Sequence, residues 1–345
     1  MKRAVVFLTI LVSSYAVLSD AVESGHFQPL QIFIMRDVPK GPYCDHLAID
    51  LAGHRLFATP QAAKRVDVLD LDSGKLLHSI TGLANPHSVL HRSDVDRLFI
   101  TDGGEGKIKI YDSKNYRPVA TIDGLPDADS IGYDPVSKEL FVTNGGESVK
   151  EDFAFLSVID TTKNIRIANI KIPAGALEAM VLEKSGPLLY LDMMDQNKIA
   201  VINRKTHQLL HVWPITKGHK NIAIALDEAH HRLFVGCRDS EASGTIVVLD
   251  TNTGREIETL PIKGWVDYLI YDAKSRRLYA SSGAPVPDGG AIFAFQQSDE
   301  TYTLLATSLT APRAKTGLYV PELGKMFVAV PHFEDDARIL VYKVP

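Results

Sequence analysis

One short phrase recurs through this sequence and restricts its fold more than any other feature. It joins an apolar run, a glycine or asparagine turn and a second apolar run that ends in aspartate. The phrase is clearest as RLFITDGG at 97–104, followed by KIKIYD at 107–112. Its first half returns as RLFAT at 55–59, ELFVTNGG at 139–146 and RLFVG at 232–236. Such copies indicate a repeat protein.

The apolar pair inside the phrase occurs seven times, at intervals of roughly 45 residues, which is a period typical of propeller blades. The pairs begin at Leu56, Leu98, Leu140, Leu189, Leu233, Leu278 and Met326. Each unit shows short β-branched and aromatic runs bounded by Gly, Asp and Asn, as strands joined by turns do. No unit has a long apolar pattern of helical period, which excludes helical solenoids. We therefore predict an all-β, seven-bladed β-propeller of four-stranded antiparallel blades.

The two ends of the sequence predict how the ring closes. The last unit supplies three strands, at 315–320, 326–330 and 339–342. The segment at 30–38 resembles the outer strands of other units. We expect this N-terminal strand to complete the C-terminal blade, because the pairing removes two exposed edges that could bind other chains.

The first 21 residues have the pattern of a secretory signal peptide. Basic Lys2 and Arg3 precede an apolar run too short to cross a bilayer, and small residues follow at Ser19 and Ala21. We expect residues 22–345 to form one propeller domain, in the periplasm or outside the cell, with no membrane span. The net charge of −5 does not favour nucleic acid or an anionic membrane as partner, since both require a basic excess. A monomer is expected.

Two cysteines cannot form the disulfide framework of a small exported domain. Cys44 and Cys237 fall in repeats one and five, far apart in a closed ring, so we expect two free thiols. The sequence also lacks a phosphate-binding loop, the Gly-Xaa-Ser-Xaa-Gly elbow and a Cys-Xaa-Xaa-Cys-His haem motif. Nucleotide-dependent, serine hydrolase and c-type haem functions therefore have no support.

Ionisable residues recur at one position of the repeat, where the first strand of each blade should begin at the channel mouth. Eleven residues before each apolar pair stand Asp45, His87, Asp129, Glu178, Ile222, Asp267 and Lys315. Four converging carboxylates should have raised pKa values, gather a cation or be neutralised by Lys315 and the histidines. The set is either a cation site or acid/base pair, or a hydrated polar rim. His46 and His87 could assist acid/base chemistry or, with Cys44, bind a transition metal.

A second repeated position lies just after strand two of each blade. It holds Thr59, Asp102, Asn144, Asp192, Cys237, Ser282 and His332. Asp102 and Asn144 precede Gly-Gly and are typical turn formers, whose side chains satisfy local backbone donors. The alternative is that Asn144 joins Asp129 and Glu178 in binding Ca²⁺ or another divalent cation, since this ion prefers carboxylate and amide oxygens.

The connections between strands two and three are long in four units. They span 145–153, 238–244, 283–290 and 331–337, and all should open on the channel-mouth face. Insertions on one face of a rigid scaffold indicate a binding surface, although exposed loops also lengthen by drift.

The repeat phrase resembles the signature of the YVTN β-propeller family and the surrounding superfamily of WD40/YVTN-like and quinoprotein-amine-dehydrogenase-like propellers. The matching stretches are FVTN at 141–144, FITD at 99–102, FATP at 57–60 and DTNTG at 250–254. Units four and six depart from the signature, with YLDM at 190–193 and YASS at 279–282. The resemblance implies a propeller fold over the whole mature chain. It also implies a choice among surface or periplasmic binding proteins, lactonases and redox-enzyme subunits.

These observations favour an exported binding or scaffold protein that contacts a small-molecule ligand or a protein partner on the channel-mouth face. The residues expected to bind are Asp45, His46, His87, Asp129, Glu178, Asp267 and Lys315. One alternative is a metal-dependent hydrolase of the lactonase type, in which a bound ion polarises an ester carbonyl. The other is an accessory subunit of a periplasmic redox system.

Overall fold

The computed structural model describes residues 25–345, so the predicted signal peptide at 1–21 lies outside the described residues. Within 25–345 the chain forms seven antiparallel sheets of four strands each. The first strand of blade 7 contacts the first strands of both blade 6 and blade 1, which closes the ring. This is the predicted seven-bladed β-propeller.

The blades follow one another along the chain, and each runs outward from the channel. Blades 1 to 4 contain β2 (Leu47–Asp50), β3 (Arg55–Ala58), β4 (Val66–Asp70), β5 (Leu76–Ile80), β6 (Pro86–Arg92), β7 (Arg97–Asp102), β8 (Lys107–Asp112), β9 (Pro118–Asp123), β10 (Ile131–Asp134), β11 (Glu139–Gly145), β12 (Ala154–Asp160), β13 (Ile165–Ile172), β14 (Leu177–Leu182), β15 (Leu188–Met193), β16 (Lys198–Asn203) and β17 (Gln208–Pro214). Blades 5 to 7 contain β18 (Asn221–Asp227), β19 (Arg232–Cys237), β20 (Ser243–Asp250), β21 (Glu256–Lys263), β22 (Val266–Asp272), β23 (Arg277–Gly283), β24 (Gly290–Ser298), β25 (Thr301–Leu309), β26 (Thr316–Val320), β27 (Lys325–Val330), β28 (Arg338–Lys343) and β1 (Gln28–Ile34).

Helical structure in the described part is confined to short 3-10 turns. They span Gln61–Ala63, Gly146–Val149 and Met194–Gln196, and each follows the second strand of its blade. Among residues 25–345 no helix has the length and apolar character needed to cross a membrane.

The repeated apolar pair holds neighbouring blades together. In β7, Leu98 packs in a cluster with blade 1, whereas Phe99 packs in a cluster with blade 3. Both side chains are almost completely buried, because the second strand is covered on both faces. A strand buried on both faces needs consecutive apolar residues rather than strict alternation, and this explains the pair. Units four and six keep the same plan with Leu189-Tyr190 and Leu278-Tyr279.

The ring closes as predicted, through the N-terminal strand. β1 pairs antiparallel with β28, with Ile32 opposite Leu340, and so becomes the outer strand of blade 7. Phe33 of β1 is 2% exposed and lies 6.4 Å, between ring centroids, from Phe327. Gly74 has φ of +69°, and a Cβ there would clash with the Phe33 ring. The closing strand therefore packs against blade 1 as well as blade 7.

Buried arginines link blades on the side of the ring away from the channel mouth. Arg92 of blade 2 donates to Thr161 Oγ1 of blade 3 at 2.6 Å. Arg204 of blade 4 donates from Nε to Asp134 Oδ2 of blade 3 at 2.8 Å, with both side chains buried. The two cysteines are buried free thiols, as the sequence predicted.

Candidate ligand-binding site at the channel mouth

A cavity of about 380 Å³ opens where the innermost strands begin, and we call it the mouth cavity. Its lining includes His46 and all seven residues of the first repeated position: Asp45, His87, Asp129, Glu178, Ile222, Asp267 and Lys315. The structure thus brings together every residue that the sequence selected for this site. Their role in ligand binding stays a prediction.

One side of the mouth cavity is an acidic cluster formed by Asp45, His87 and Asp129. Nδ1 of His87 lies 2.8 Å from Asp45 Oδ2 and 3.4 Å from Asp129 Oδ1. Nε2 of His46 lies 3.5 Å from the other oxygen of Asp45. Gln61, in the first 3-10 turn, donates from Nε2 to Asp45 Oδ2 at 3.0 Å. The His87 ring is only 12% exposed, so these contacts hold it in one place.

The pKa values of the residues in the acidic cluster are shifted in different directions. Burial opposes a charge on His87, but the hydrogen bond to Asp45 and the charge of Asp129 outweigh burial and raise the pKa of His87 to about 9. Burial also opposes the charge on Asp45, yet His46 and His87 keep the pKa of that carboxyl below its usual range. Asp129 differs, because burial and the Asp45 charge raise its pKa to about 6. An ion pair of Asp45 with His87 therefore lies beside a carboxyl that takes up a proton readily.

The opposite side of the mouth cavity is a basic cluster around Asp267. Arg238 and Lys315 both form salt bridges to its carboxylate, one on each oxygen. Burial alone would raise the pKa of Asp267, but these two cations hold it well below its usual range. Arg238 is fixed further by donating from Nε to Val266 O at 2.9 Å. The Lys315 ammonium lies 5.2 Å from the centre of the Tyr43 ring, within cation–π range.

Glu178 lies between the two clusters. Within residues 25–345 its carboxyl has no hydrogen bond or salt bridge, although it lines the mouth cavity. Burial, followed by the charges of Asp129 and Asp267, raises its pKa well above the usual value. Glu178 can therefore present a protonated carboxyl to the cavity, which is both a donor and an acceptor of hydrogen bonds.

The hydrogen bonds made at the second repeated position differ from those predicted for local turns. Asp102 accepts from the backbone N–H groups of Ala84 and Asn85, which belong to the segment leading into blade 2 and not to the turn after Asp102. Asn144 donates to Val142 O and to Ser157 Oγ, at 3.1 and 2.7 Å. The interpretation as simple turn formers is corrected accordingly: these side chains tie separate segments of the chain together.

The metal-ligating residues expected from sequence are only partly assembled. Asp129, Asn144 and Glu178 line one small cavity of about 140 Å³ beside the mouth. The Asn144 amide nitrogen is used inside blade 3, so only its oxygen could serve as ligand. A tighter group of donors is Asp45, His87 and Asp129, whose ligand atoms lie within 4.8 Å of one another. Metal binding by either set stays a prediction.

Asp192, at the second repeated position of blade 4, forms a buried pair with Asn221. The amide of Asn221 donates to Asp192 Oδ1 at 2.7 Å, and both side chains are inaccessible to solvent. Asp192 Oδ2 and Asn221 Oδ1 have no partner in the described part of the chain. Burial raises the pKa of Asp192 to about 8. A proton on Oδ2 makes that atom a hydrogen-bond donor, whereas an ionised carboxylate can only accept.

Sequence reasoning missed five polar residues of the mouth cavity, namely Tyr43, Gln61, Asn85, Ser130 and Arg238. None stands at a repeated position. Arg238 begins the connection 238–244, which was expected on this face, and Gln61 stands in a 3-10 turn. The connection at 145–153 likewise reaches the cavity beside the mouth through Glu147 and Ser148.

Comparison with known proteins identifies the fold and no family. No protein-family model matches the sequence, and no curated protein matches it. Among solved structures, a chain in the crystal structure of a mitotic checkpoint complex aligns with a TM-score of 0.73, 14% identity and coverage of 99% of both chains.

Two further structures align about equally well. The WD40 repeats of RRP9 give a TM-score of 0.73 at 12% identity, covering 92% of this chain and 99% of theirs. A chain of the hydrazine synthase of Kuenenia stuttgartiensis gives 0.72 at 13% identity, covering 91% of this chain and all of its own. Similarity at this level shows a shared propeller fold alone.

Proposed function

We propose that this chain is an exported propeller protein that binds a small polar ligand in the mouth cavity. The observation that carries the proposal is the position of Glu178, an unpaired carboxyl between a cluster built on Asp45 and His87 and a cluster built on Asp267. A cavity of about 380 Å³ is within the range of small-molecule sites. The charged groups of the two clusters are held in place by one another, while the Glu178 carboxyl remains available to a ligand, and a selective polar site needs both properties.

The chemistry of the lining indicates what the ligand carries. Asp129 and Glu178 have room to accept or donate a hydrogen bond, while Asp45 and Asp267 are already paired with cations. The charges of the two clusters nearly balance, so the site does not select strongly for one sign. A neutral or zwitterionic molecule with several hydroxyl or amino groups fits this arrangement, because each group can find a fixed partner.

A ligand screen with matched variants tests the proposal. Purified protein is screened by thermal shift against sugars, polyols and amino acids, and each compound that stabilises it is tested again on Glu178→Gln and Asp129→Asn. We expect the shift to be lost in both variants and kept in Asp72→Asn, whose side chain is 73% exposed and away from the mouth. Shifts that survive in Glu178→Gln and Asp129→Asn alike would overturn the assignment to the mouth cavity.

The second candidate function is a metal-dependent hydrolase, which is favoured by the three donors within 4.8 Å. Asp45, His87 and Asp129 would hold a divalent cation, and such an ion supplies Lewis acidity toward an ester or lactone carbonyl. Glu178 could give a proton to a leaving alcohol, since burial raises its pKa well above the usual value and so favours the protonated form. Calorimetric titration with Mn²⁺, Zn²⁺ and Ca²⁺ tests this candidate function. Metal binding by the parent that is lost in Asp45→Asn supports it, and absence of metal binding by the parent contradicts it.

Export and family membership belong to the same proposal. The basic start and short apolar run of residues 1–21 support a signal peptide and a location in the periplasm or outside the cell. The recurring FVTN-type phrase supports a divergent member of the YVTN propellers. Mass spectrometry of the protein recovered from each cell fraction tests export; an intact Met1 in the cytoplasmic fraction alone would contradict it.

A further inference from the structure

A second and larger cavity lies at the other end of the channel, and we call it the lower cavity. Its volume is about 820 Å³, against about 380 Å³ for the mouth cavity. It is formed by the ends of the innermost strands of blades 4, 5 and 6 and by the turns that follow them. None of its lining residues belongs to the mouth cavity.

The walls of the lower cavity are mainly aliphatic. The apolar side chains that line it are Met180, Val181, Leu182, Ile224, Leu226, Leu269 and Ile270. Met180 and Leu182 pack closely against Gly132 of blade 3, where a Cβ would lie 2.9 Å from Met180 Cγ and 2.6 Å from Leu182 Cδ1. The wall is therefore supported from behind. A cavity of this size with aliphatic walls suits a ligand with a substantial apolar part.

The carboxylates at the rim of the lower cavity are already used. Glu228 accepts from the backbone N–H groups of Lys184, Ser185 and Gly186, at 2.6, 2.9 and 3.1 Å. Glu183 accepts from Leu188 N at 2.9 Å and from the Tyr190 hydroxyl at 3.1 Å. These bonds fix the turn after β14 and leave the two carboxylates little capacity for a ligand.

The third rim carboxylate is used in the same way. Asp227 is bonded to His230 Nδ1 at 2.8 Å and to Gln297 Nε2 at 3.1 Å. By contrast, the Lys184 ammonium and the His231 ring have no hydrogen bond or salt bridge to any of residues 25–345. The Lys184 ammonium, which can only donate, therefore remains available at the rim, together with the His231 ring.

We propose that the lower cavity binds an amphipathic carboxylate, a molecule with an aliphatic chain and one carboxylate end, with the chain between blades 4 and 6 and the carboxylate at Lys184. The three rim carboxylates keep the surrounding field negative, so a small anion gains too little from one ammonium to bind. Burial of the chain must supply most of the affinity, and Lys184 fixes the orientation. This site shares no lining residue with the mouth cavity.

Fluorescence titration with 11-(dansylamino)undecanoic acid tests the proposal. We expect saturable binding that weakens by about tenfold in Lys184→Gln, which loses a charge-assisted hydrogen bond. Binding should be blocked in Ala273→Trp, where a large ring on an exposed rim residue fills the entrance. Lys205→Gln, at an exposed lysine outside the cavity, should bind like the parent.

Competition by unlabelled acids separates the two parts of the proposal. Affinity should rise about threefold to fourfold for each methylene from butanoate to dodecanoate, as expected for burial of an aliphatic chain. Dodecanol should compete about tenfold less well than dodecanoate. A flat chain-length series, or unchanged binding in Ala273→Trp, would overturn the site. Equal competition by acid and alcohol, with no effect of Lys184→Gln, would overturn the carboxylate.

Discussion

Replacing Asp192 by asparagine should stabilise the protein, although the residue is buried and hydrogen-bonded. The oxygen of the introduced amide can accept from the Asn221 amide, as Asp192 Oδ1 does now. The nitrogen of the introduced amide replaces Oδ2, which has no partner among residues 25–345, and it carries no charge at any pH of the experiment. The change thus keeps the shape and the hydrogen bond and removes the titration of the acid.

The size of the effect follows from proton linkage. The pKa of Asp192 is about 8 in the folded protein, against an ordinary value of 3.8, so folding takes up a proton between these two pH values. A group whose folded pKa is raised contributes its full stability below its unfolded pKa and loses it as pH rises. The free energy of unfolding of the parent should therefore be lower than that of Asp192→Asn. The difference should grow by about 1.4 kcal/mol for each pH unit above 3.8 and reach about 4 kcal/mol at pH 7.

Urea unfolding of the parent and of Asp192→Asn at about pH 5 and about pH 7 measures this difference. The matched control is Asp134→Asn, the same change at a buried aspartate that pairs with Arg204. The pKa of Asp134 is lowered, so its loss should destabilise by about 3 kcal/mol with little change across this pH interval. An advantage of Asp192→Asn that is equal at both pH values, or a loss at both, would refute the protonated pair.

Two further predictions concern ring closure and the acidic cluster. Phe33→Ala should lower the free energy of unfolding by about 3–5 kcal/mol in urea, because it empties the contact with Phe327. Ile32→Ala, at a position 59% exposed, should cost less than about 1 kcal/mol, and equal losses would show that β1 is not held by its buried face. By NMR the His87 ring should titrate near pH 9 and shift toward 6.5 in Asp45→Asn; a parent titration near 6.5 would contradict the ion pair. Since the folded pKa is raised, the stability from this charge is complete below pH 6.5 and lost as pH rises through about 9.

The fold was predictable because each blade repeats the same solution to the same packing problem. The second strand needs apolar residues toward both neighbours, so Leu98 and Phe99 recur as a pair and fix the blade count. The same count locates the first position of each innermost strand, which is why Asp45, Glu178 and Asp267 were found together at the mouth.

The remaining contacts of the site could not be predicted from the repeat. Arg238 and Gln61 reach the mouth from connections whose conformation is set by tertiary contacts. The repeat pattern of the sequence does not predict the conformation of these connections. The different states of Asp129 and Asp267, one raised in pKa and one lowered, also depend on which cation each meets in space. Sequence predicted the positions of the carboxylates but not their pairing.

The pairing of β1 with β28 has a consequence for the order of folding. β1 is synthesised before the strands of every blade, whereas its partner β28 is synthesised after nearly all of them. The first strand to be made is therefore among the last to form its backbone hydrogen bonds. Until β28 is available, both edges of the growing array remain open, and long-range pairing of this kind is slow. Completion of the ring is therefore tied to synthesis of β28, and the ring stays open until that strand has been made.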